Sequence, residues 1–186
     1  MSMSYRFTPE MIAYYNGECQ GDGWAAYKLS CEMDKKGVDE VFVQNHCRKA
    51  AELGCATAYV MLGVYALRGS LLEDYSVMDD KHYQKKSRSI ELFKTASSMG
   101  NCYGKFMYGQ CLLNGIFTKC DEDYARTLIE EAVPYISEED VISMVTEIHK
   151  YLSKSEFNHM PPASMAMKEP MSSSEDKSGP GLKKAS

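Results

Sequence analysis

The chain lacks any long apolar run. Within its 186 residues, no segment approaches the ~20 consecutive apolar residues that a membrane-spanning helix needs. Residues 1–10 also lack the apolar stretch of a secretion signal. Together these absences argue against a membrane-inserted protein and predict a cytoplasmic one.

Clustered positive charge is missing as well. Lysine and arginine together number 21 against 26 aspartates and glutamates, so the formal net charge is -5. Binding to nucleic-acid phosphates at physiological salt requires grouped cations. The composition therefore disfavours a nucleic-acid partner, while the 44% apolar content is enough for one folded core.

Motifs for catalysis or cofactor binding are also absent. No C-x-x-C pair occurs, and the four histidines (His46, His82, His149, His159) are not spaced to place two ligands on one helix face. The glycines close helices instead of clustering before one, as a phosphate-binding loop requires. A Cys–His pair or a zinc site that meets only in the fold stays open. The sequence predicts a protein that is not an enzyme and that has no cofactor or metal.

Cysteine, by contrast, is abundant. Seven cysteines occur, an odd number, in a chain without a recognisable export signal. Reducing compartments keep such residues as free thiols. We therefore predict seven unpaired cysteines.

The most informative feature present is a sequence motif that occurs twice, 46 residues apart. Residues 54–63, followed by a closing Gly69, return as residues 100–109 followed by Gly115. A degenerate third copy lies 32 residues before the first. Internal repeats of this length are typical of stacked helical or mixed units that cannot bury their apolar faces alone.

Helical spacing carries the apolar pattern of these repeats. Ala58, Leu62 and Ala66 recur at i, i+4 and i+8, and strand-like alternation is nowhere sustained. A second helix precedes each copy of the motif and is predicted to end at Gly54 or Gly100. Glycine is the residue that most easily takes the left-handed conformation that commonly ends a helix. Each unit is thus predicted to be an antiparallel helix pair.

The repeat motif resembles a known family. Residues 49–54 (KAAELG) running into residues 58–63 (AYVMLG), and residues 100–132 with Asp121 and Ala125 at the family's positions, resemble the Sel-one-like repeat, a short relative of the tetratricopeptide repeat. The family's tyrosine after Leu-Gly is replaced by Asp34, Ala66 and Leu112. The resemblance implies an all-α fold, a right-handed α-solenoid of about three antiparallel helix pairs whose concave face holds other proteins.

The predicted organisation follows from the repeats and the composition between them. Ser137 followed by three acids indicates the start of a further helix that caps the array, and the Pro-, Ser- and Met-rich end of the chain indicates a disordered tail. The insertion at residues 70–86 is predicted to be a long loop. The segments are 1–21 (with a short helix), 22–136 (repeat units 22–54, 55–100 and 101–136), 137–152 (capping helix) and 153–186 (tail).

A partner-binding groove follows from the resemblance. If the first helix of each pair lines the concave face, the groove is basic at its N-terminal end and apolar with aromatic anchors at its C-terminal end. It would fit a peptide or amphipathic helix with acidic residues at one end. An equal alternative is that Val60, Val64 and Phe106 pack against neighbouring helices or the cap, and self-association or the chain's own tail could cover the same surface. The predicted groove residues are Lys28, Glu32, Lys35, Val60, Val64, Leu67, Arg68, Tyr103, Phe106, Gln110 and Leu113.

The predicted function is that of a non-enzymatic adaptor or scaffold for a protein partner. One alternative is a disulfide-stapled, cysteine-rich relative with hydrolase or cell-wall-ligand activity, although the cysteines do not recur at equivalent repeat positions. Another is a secreted effector that acts on a host complex. Titration of the thiols in denaturant distinguishes the stapled alternative from the adaptor.

Overall fold

The computed structural model describes residues 7–72 and 82–150, all within one compact unit, Met1–Ser153. For residues 82–86 only the backbone is described. The predicted tail and most of the 70–86 insertion lie outside the described residues. Within them every regular element is helical, which confirms the all-α prediction. The helices are α1 (Pro9–Cys19), α2 (Gly23–Lys35), α3 (Glu40–Glu52), α4 (Ala56–Arg68), α5 (His82–Ser98), α6 (Cys102–Leu113), α7 (Glu122–Ala132) and α8 (Glu138–His149), with a 3-10 turn (Val133–Tyr135) before α8.

Helices that follow each other in the chain pack against each other. The pairs α2–α3, α4–α5 and α6–α7 make the most extensive contacts, and α1 packs on α2. Contacts also run between α4 and α6 and between α6 and α8. We call the first helix of each pair (α2, α4 and α6), together with α8, the row of first helices. This stacking is the α-solenoid that the repeats predicted.

Short turns between the helices have clear causes in the sequence. Gly54 and Gly100 end α3 and α5 with φ of 85° and 80°, a conformation that residues with a Cβ rarely adopt. In each turn the following amide bonds back to the helix, from Cys55 N to Ala50 O at 2.9 Å and from Asn101 N to Ala96 O at 3.1 Å. The next helix can then begin at once, antiparallel to the last.

Two further glycines, Gly63 and Gly109, lie inside helices at points where a neighbouring helix leaves no room for a Cβ. A Cβ at Gly109 would lie 3.1 Å from the carbonyl oxygen of Ala125, so α6 and α7 approach closely there. At Gly63 the neighbour is different, since a Cβ would overlap the ring of Phe93, which is fully buried. The glycine on α4 therefore makes room for an aromatic side chain of α5 and not for its backbone.

The start of the insertion is anchored by a buried amide. Gln44 Nε2 donates to Ser70 O at 2.8 Å, and Gln44 Oε1 accepts from Leu72 N at 2.8 Å. Leu71 between them is buried. The far end differs from the prediction, because α5 begins at His82 and residues 82–86 are helical rather than loop.

Candidate partner-binding face

Helix α2 presents an exposed tryptophan near its start. Trp24, the chain's single tryptophan, is 53% exposed. The Tyr27 ring lies 5.4 Å from it, and the Lys28 ammonium lies 4.7 Å from the centre of the Trp24 ring. This arrangement gives a half-exposed aromatic surface next to a positive charge.

The position of Trp24 is fixed by the local sequence. Asp22 caps α2 by accepting hydrogen bonds from the amides of Trp24 (2.9 Å) and Ala25 (3.1 Å). A Cβ at Gly23 would lie 2.9 Å from the Leu53 carbonyl oxygen, so the start of α2 rests directly on the end of α3. Trp24 therefore projects from a well-anchored helix end.

Three predicted groove residues continue the same stripe along α2. Lys28, Glu32 and Lys35 follow Trp24 at helical spacing of one to three turns, and Lys35 Nζ bonds Glu32 Oε1 at 2.8 Å. The hydrogen bond and charge of Glu32 raise the pKa of Lys35, so its ammonium stays charged. We call Trp24, Lys28, Glu32 and Lys35 the α2 face.

The predicted groove residues on α4 divide between core and surface. Val60 and Leu67 are buried, whereas Val64 is half-buried and Arg68 is exposed. Arg68 is engaged by the chain itself, because its Nε donates to Glu147 Oε1 of α8 at 2.6 Å. Glu147, whose side chain is 11% exposed, also accepts from Lys150 Nζ at 3.0 Å.

On α6 the predicted anchors face α8. Phe106 is 2% exposed and packs with Ala132 and Ile136, and three apolar residues of α8 pack against this cluster. The Tyr103 hydroxyl donates to Asp140 Oδ2 at 3.1 Å, and burial followed by this hydrogen bond raises the pKa of Tyr103. Gln110 and Leu113 are half-buried.

Val60, Leu67 and Phe106 therefore belong to the core of the described structure, which matches the alternative weighed for Val60 and Phe106 from the sequence. A partner could not touch these side chains unless helices moved. The accessible members of the predicted set are those of α2, Val64 and the partly exposed residues of α4 and α6. Trp24 was not among the predicted groove residues, although it lies one turn before Lys28 on the same helix.

The described ranges contain neither a candidate metal site nor a candidate membrane-spanning helix. Within residues 7–72 and 82–150, no group of three or more His, Cys, Asp or Glu side chains is placed to hold a metal ion. No helix in the same ranges has the length and apolarity needed to cross a bilayer. All seven cysteines are free, and burial raises the pKa of Cys47 and of Cys111 to about 12.

Comparison with known proteins identifies the fold. No family model and no curated protein matches the chain. Among solved structures, the chain is similar to a Sel1 repeat protein from Oxalobacter formigenes, with a TM-score of 0.55 and 20% sequence identity over 75% of this chain and 99% of that chain. At 20% sequence identity, this structural similarity is evidence about the fold alone. It confirms the Sel-one-like repeat fold predicted from the motif.

Proposed function

We propose that this protein is a non-enzymatic adaptor that holds a peptide or an amphipathic helix of a protein partner on the α2 face. The observation that carries the proposal is the exposure of Trp24 beside Lys28 on a helix of the row of first helices. Tryptophan is among the side chains enriched at the energetic centres of protein interfaces. Phe42 and Tyr135 are also exposed, so exposure alone does not set Trp24 apart. The Lys28 ammonium over its ring and the Tyr27 ring beside it do.

The chemistry of the face suggests the chemistry of the partner. Lys28 and Lys35 offer two ammonium groups, and Glu32 neutralises one of them through its ion pair. An acidic residue of the partner can approach Lys28 while an apolar residue next to it covers the Trp24 ring.

The proposal requires no cofactor and places the adaptor in the cytoplasm. Its seven free cysteines suit a reducing compartment, where disulfides rarely persist. The same free cysteines favour the adaptor over the disulfide-stapled alternative. No described feature specifically favours the effector alternative.

Affinity capture with matched variants tests the proposal. The full chain would be used as wild type, as the double variant Trp24→Ala/Lys28→Glu, and as the control Phe42→Ala. Phe42 on α3 is 58% exposed, so the control removes a comparable exposed aromatic from a helix outside the row of first helices. We expect the double variant to lose at least about tenfold of the captured partner signal in quantitative mass spectrometry, equivalent to about 1.4 kcal/mol.

Two outcomes would contradict the proposal. One is capture of the same partners, at the same level, by the double variant and the wild type. The other is an equal loss in the Phe42→Ala control, which would show that the captured proteins respond to any exposed aromatic. Circular dichroism of all three proteins establishes that each is folded.

A further inference from the structure

Helix α8 carries an isoleucine that the rest of the described structure leaves in contact with water. Ile142 is 59% exposed. It lies at the same repeat position as Val60 of α4 and Phe106 of α6, because each is the fifth residue after the N-cap of its helix. Val60 and Phe106 are buried, and α6 packs on α4 as α8 packs on α6. Within residues 7–72 and 82–150 no further first helix follows α8, so this position stays open there.

Two carboxylates share the exposed side of α8 with Ile142. Glu138 and Glu139 precede it by four and three residues, a spacing that places all three side chains on one helix face. Both are exposed, and neither side chain has a hydrogen-bond or ion-pair partner among the described residues. Asp140 differs, because its Oδ2 accepts from the Tyr103 hydroxyl of α6. We call Glu138, Glu139 and Ile142 the α8 face.

The α8 face has the chemistry that the α2 face requires of a partner, an acid beside an apolar side chain. On α2, Lys28 follows Trp24 by four residues, and on α8, Ile142 follows Glu138 by four. Four residues span about 6 Å along a helix axis in both cases. If the two helices run antiparallel, Ile142 therefore meets Trp24 at the point where Glu138 meets Lys28.

A contact between these two faces has to join two copies of the chain. Helix α2 packs extensively on α1 and α3, whereas α8 packs on α6. Trp24 and Ile142 remain exposed while these contacts are in place. The contact joins unlike surfaces, so each copy that is added leaves one α2 face and one α8 face open. Association of this kind has no reason to stop at a dimer.

We propose that the α8 face of one copy docks on the α2 face of a second copy. Ile142 covers the Trp24 ring, and the Lys28 ammonium bonds the carboxylate of Glu138 or Glu139. This inference rests on the proposed function in one respect, since it takes the α2 face as the binding surface. Two single helix faces bury less than about 1,200 Å², which is the size of weak and transient interfaces. At high concentration the chain thus covers its own adaptor surface.

Reciprocal charge changes in the full chain test this contact. Lys28→Glu reverses the charge of the α2 face, and the double variant Glu138→Lys/Glu139→Lys reverses that of the α8 face. In sedimentation equilibrium we expect the mass of the wild type to rise with concentration beyond that of a dimer. Each variant alone should associate at least about tenfold more weakly. An equal mixture of the two should associate as the wild type does, because every contact between unlike chains then joins opposite charges.

The apolar half of the contact has its own variant and controls. Ile142→Ala should weaken association about tenfold, since it removes most of the side chain that covers the Trp24 ring. Phe42→Ala is the matched control, because Phe42 on α3 is 58% exposed and belongs to neither face. Lys49→Glu makes the same charge change as Lys28→Glu, also on α3. Both controls should associate as the wild type does.

Three results would overturn the proposal. The first is a wild-type chain that stays monomeric at every concentration. The second is association of the charge-reversed variants that equals that of the wild type, which would mean that other surfaces meet. The third is a mixture that associates no better than its two components. Circular dichroism establishes that each variant is folded, and restored association in the mixture cannot come from unfolded chains.

The adaptor proposal fails on a different measurement. A monomeric wild type would remove the second copy as an occupant of the α2 face, while partner capture by the wild type and its loss in Trp24→Ala/Lys28→Glu would still support the adaptor. Conversely, association that follows the charge reversals, together with equal capture by that double variant and the wild type, would reject the adaptor and keep the contact between copies.

Discussion

The first and last repeat units, at the two ends of the repeat array, use equivalent positions in opposite ways. Lys28 of α2 and Phe106 of α6 occupy the same place in their repeats, as does Val60 of α4 between them. Lys28 is partly exposed beside Trp24, whereas Val60 and Phe106 are buried. The difference follows from the neighbours of each helix, because α6 contacts α4 and α8 contacts α6, whereas the extensive contacts of α2 are with α1 and α3. A repeat position is therefore surface or core according to whether another helix of the row covers it.

Charged contacts show the same contrast. On α2, Lys35 and Glu32 pair within one helix, at the surface. By contrast, Arg68 of α4 pairs with Glu147 of α8, a residue 79 positions further along the chain, and the Glu147 side chain is largely buried. The first pair lies at the surface of one helix, and the second helps to hold α8 against α4.

The largest test of this contrast is Phe106→Ala. Removing a fully buried phenylalanine leaves a cavity between α6 and α8, so we expect a loss of about 3–5 kcal/mol in the free energy of unfolding, measured by urea denaturation. Trp24→Ala is the matched change at the exposed end and should cost about 1 kcal/mol or less. Similar losses for the two variants would remove the distinction between a closed and an open end.

Glu147→Gln tests the attachment of α8 with a smaller expected effect. The glutamine keeps the shape of the side chain but loses the charge that faces Arg68 and Lys150, so unfolding should become easier by about 1–2 kcal/mol. The control is Glu131→Gln, because the pair with Lys105 is half-exposed and should contribute at most about 1 kcal/mol. If the control costs as much as Glu147→Gln, the buried pair has no special part in holding α8.

Thiol reactivity near neutral pH should show the smallest difference between the ends. Cys47 of α3 and Cys111 of α6 are both buried, and burial raises the pKa of each to about 12. Both therefore remain protonated at pH 8, and iodoacetamide should label them only after unfolding. Exposed Cys19 and Cys120 should react first in peptide mapping of the native protein. Fast labelling of Cys111 alone would indicate that α6 and its neighbours open more readily than α3.

Much of the fold was predictable because local physics determines it. The helical spacing of Ala58, Leu62 and Ala66, and the closing glycines Gly54 and Gly100, correctly indicated stacked helices with tight turns. The cap at Ser137 is also as predicted, since its Oγ accepts from the Asp140 amide at 3.1 Å. The start of α5 at His82 was not predicted, because residues 82–86 carry little apolar pattern of their own.

The candidate site was predicted less well, and for a physical reason. An apolar residue at a repeated position has the same sequence signature whether a partner or another part of the chain covers it. Phe106 and Leu67 were therefore assigned to a groove that the structure fills with its own helices. Trp24 was overlooked because one aromatic residue near a helix start has no periodic signal, and its exposure emerges only when the neighbouring helices are placed.

The sequence by itself determined that this chain folds into stacked helix pairs, since helical periodicity, caps and left-handed glycines all act within a few residues of one another. Only the tertiary structure decided which of the repeated positions remain in contact with water. That outcome depends on contacts between residues far apart in the chain, such as Arg68 with Glu147, and local sequence does not encode such distances. The open α2 face and the covered surface of α6 are thus products of how the helices stack.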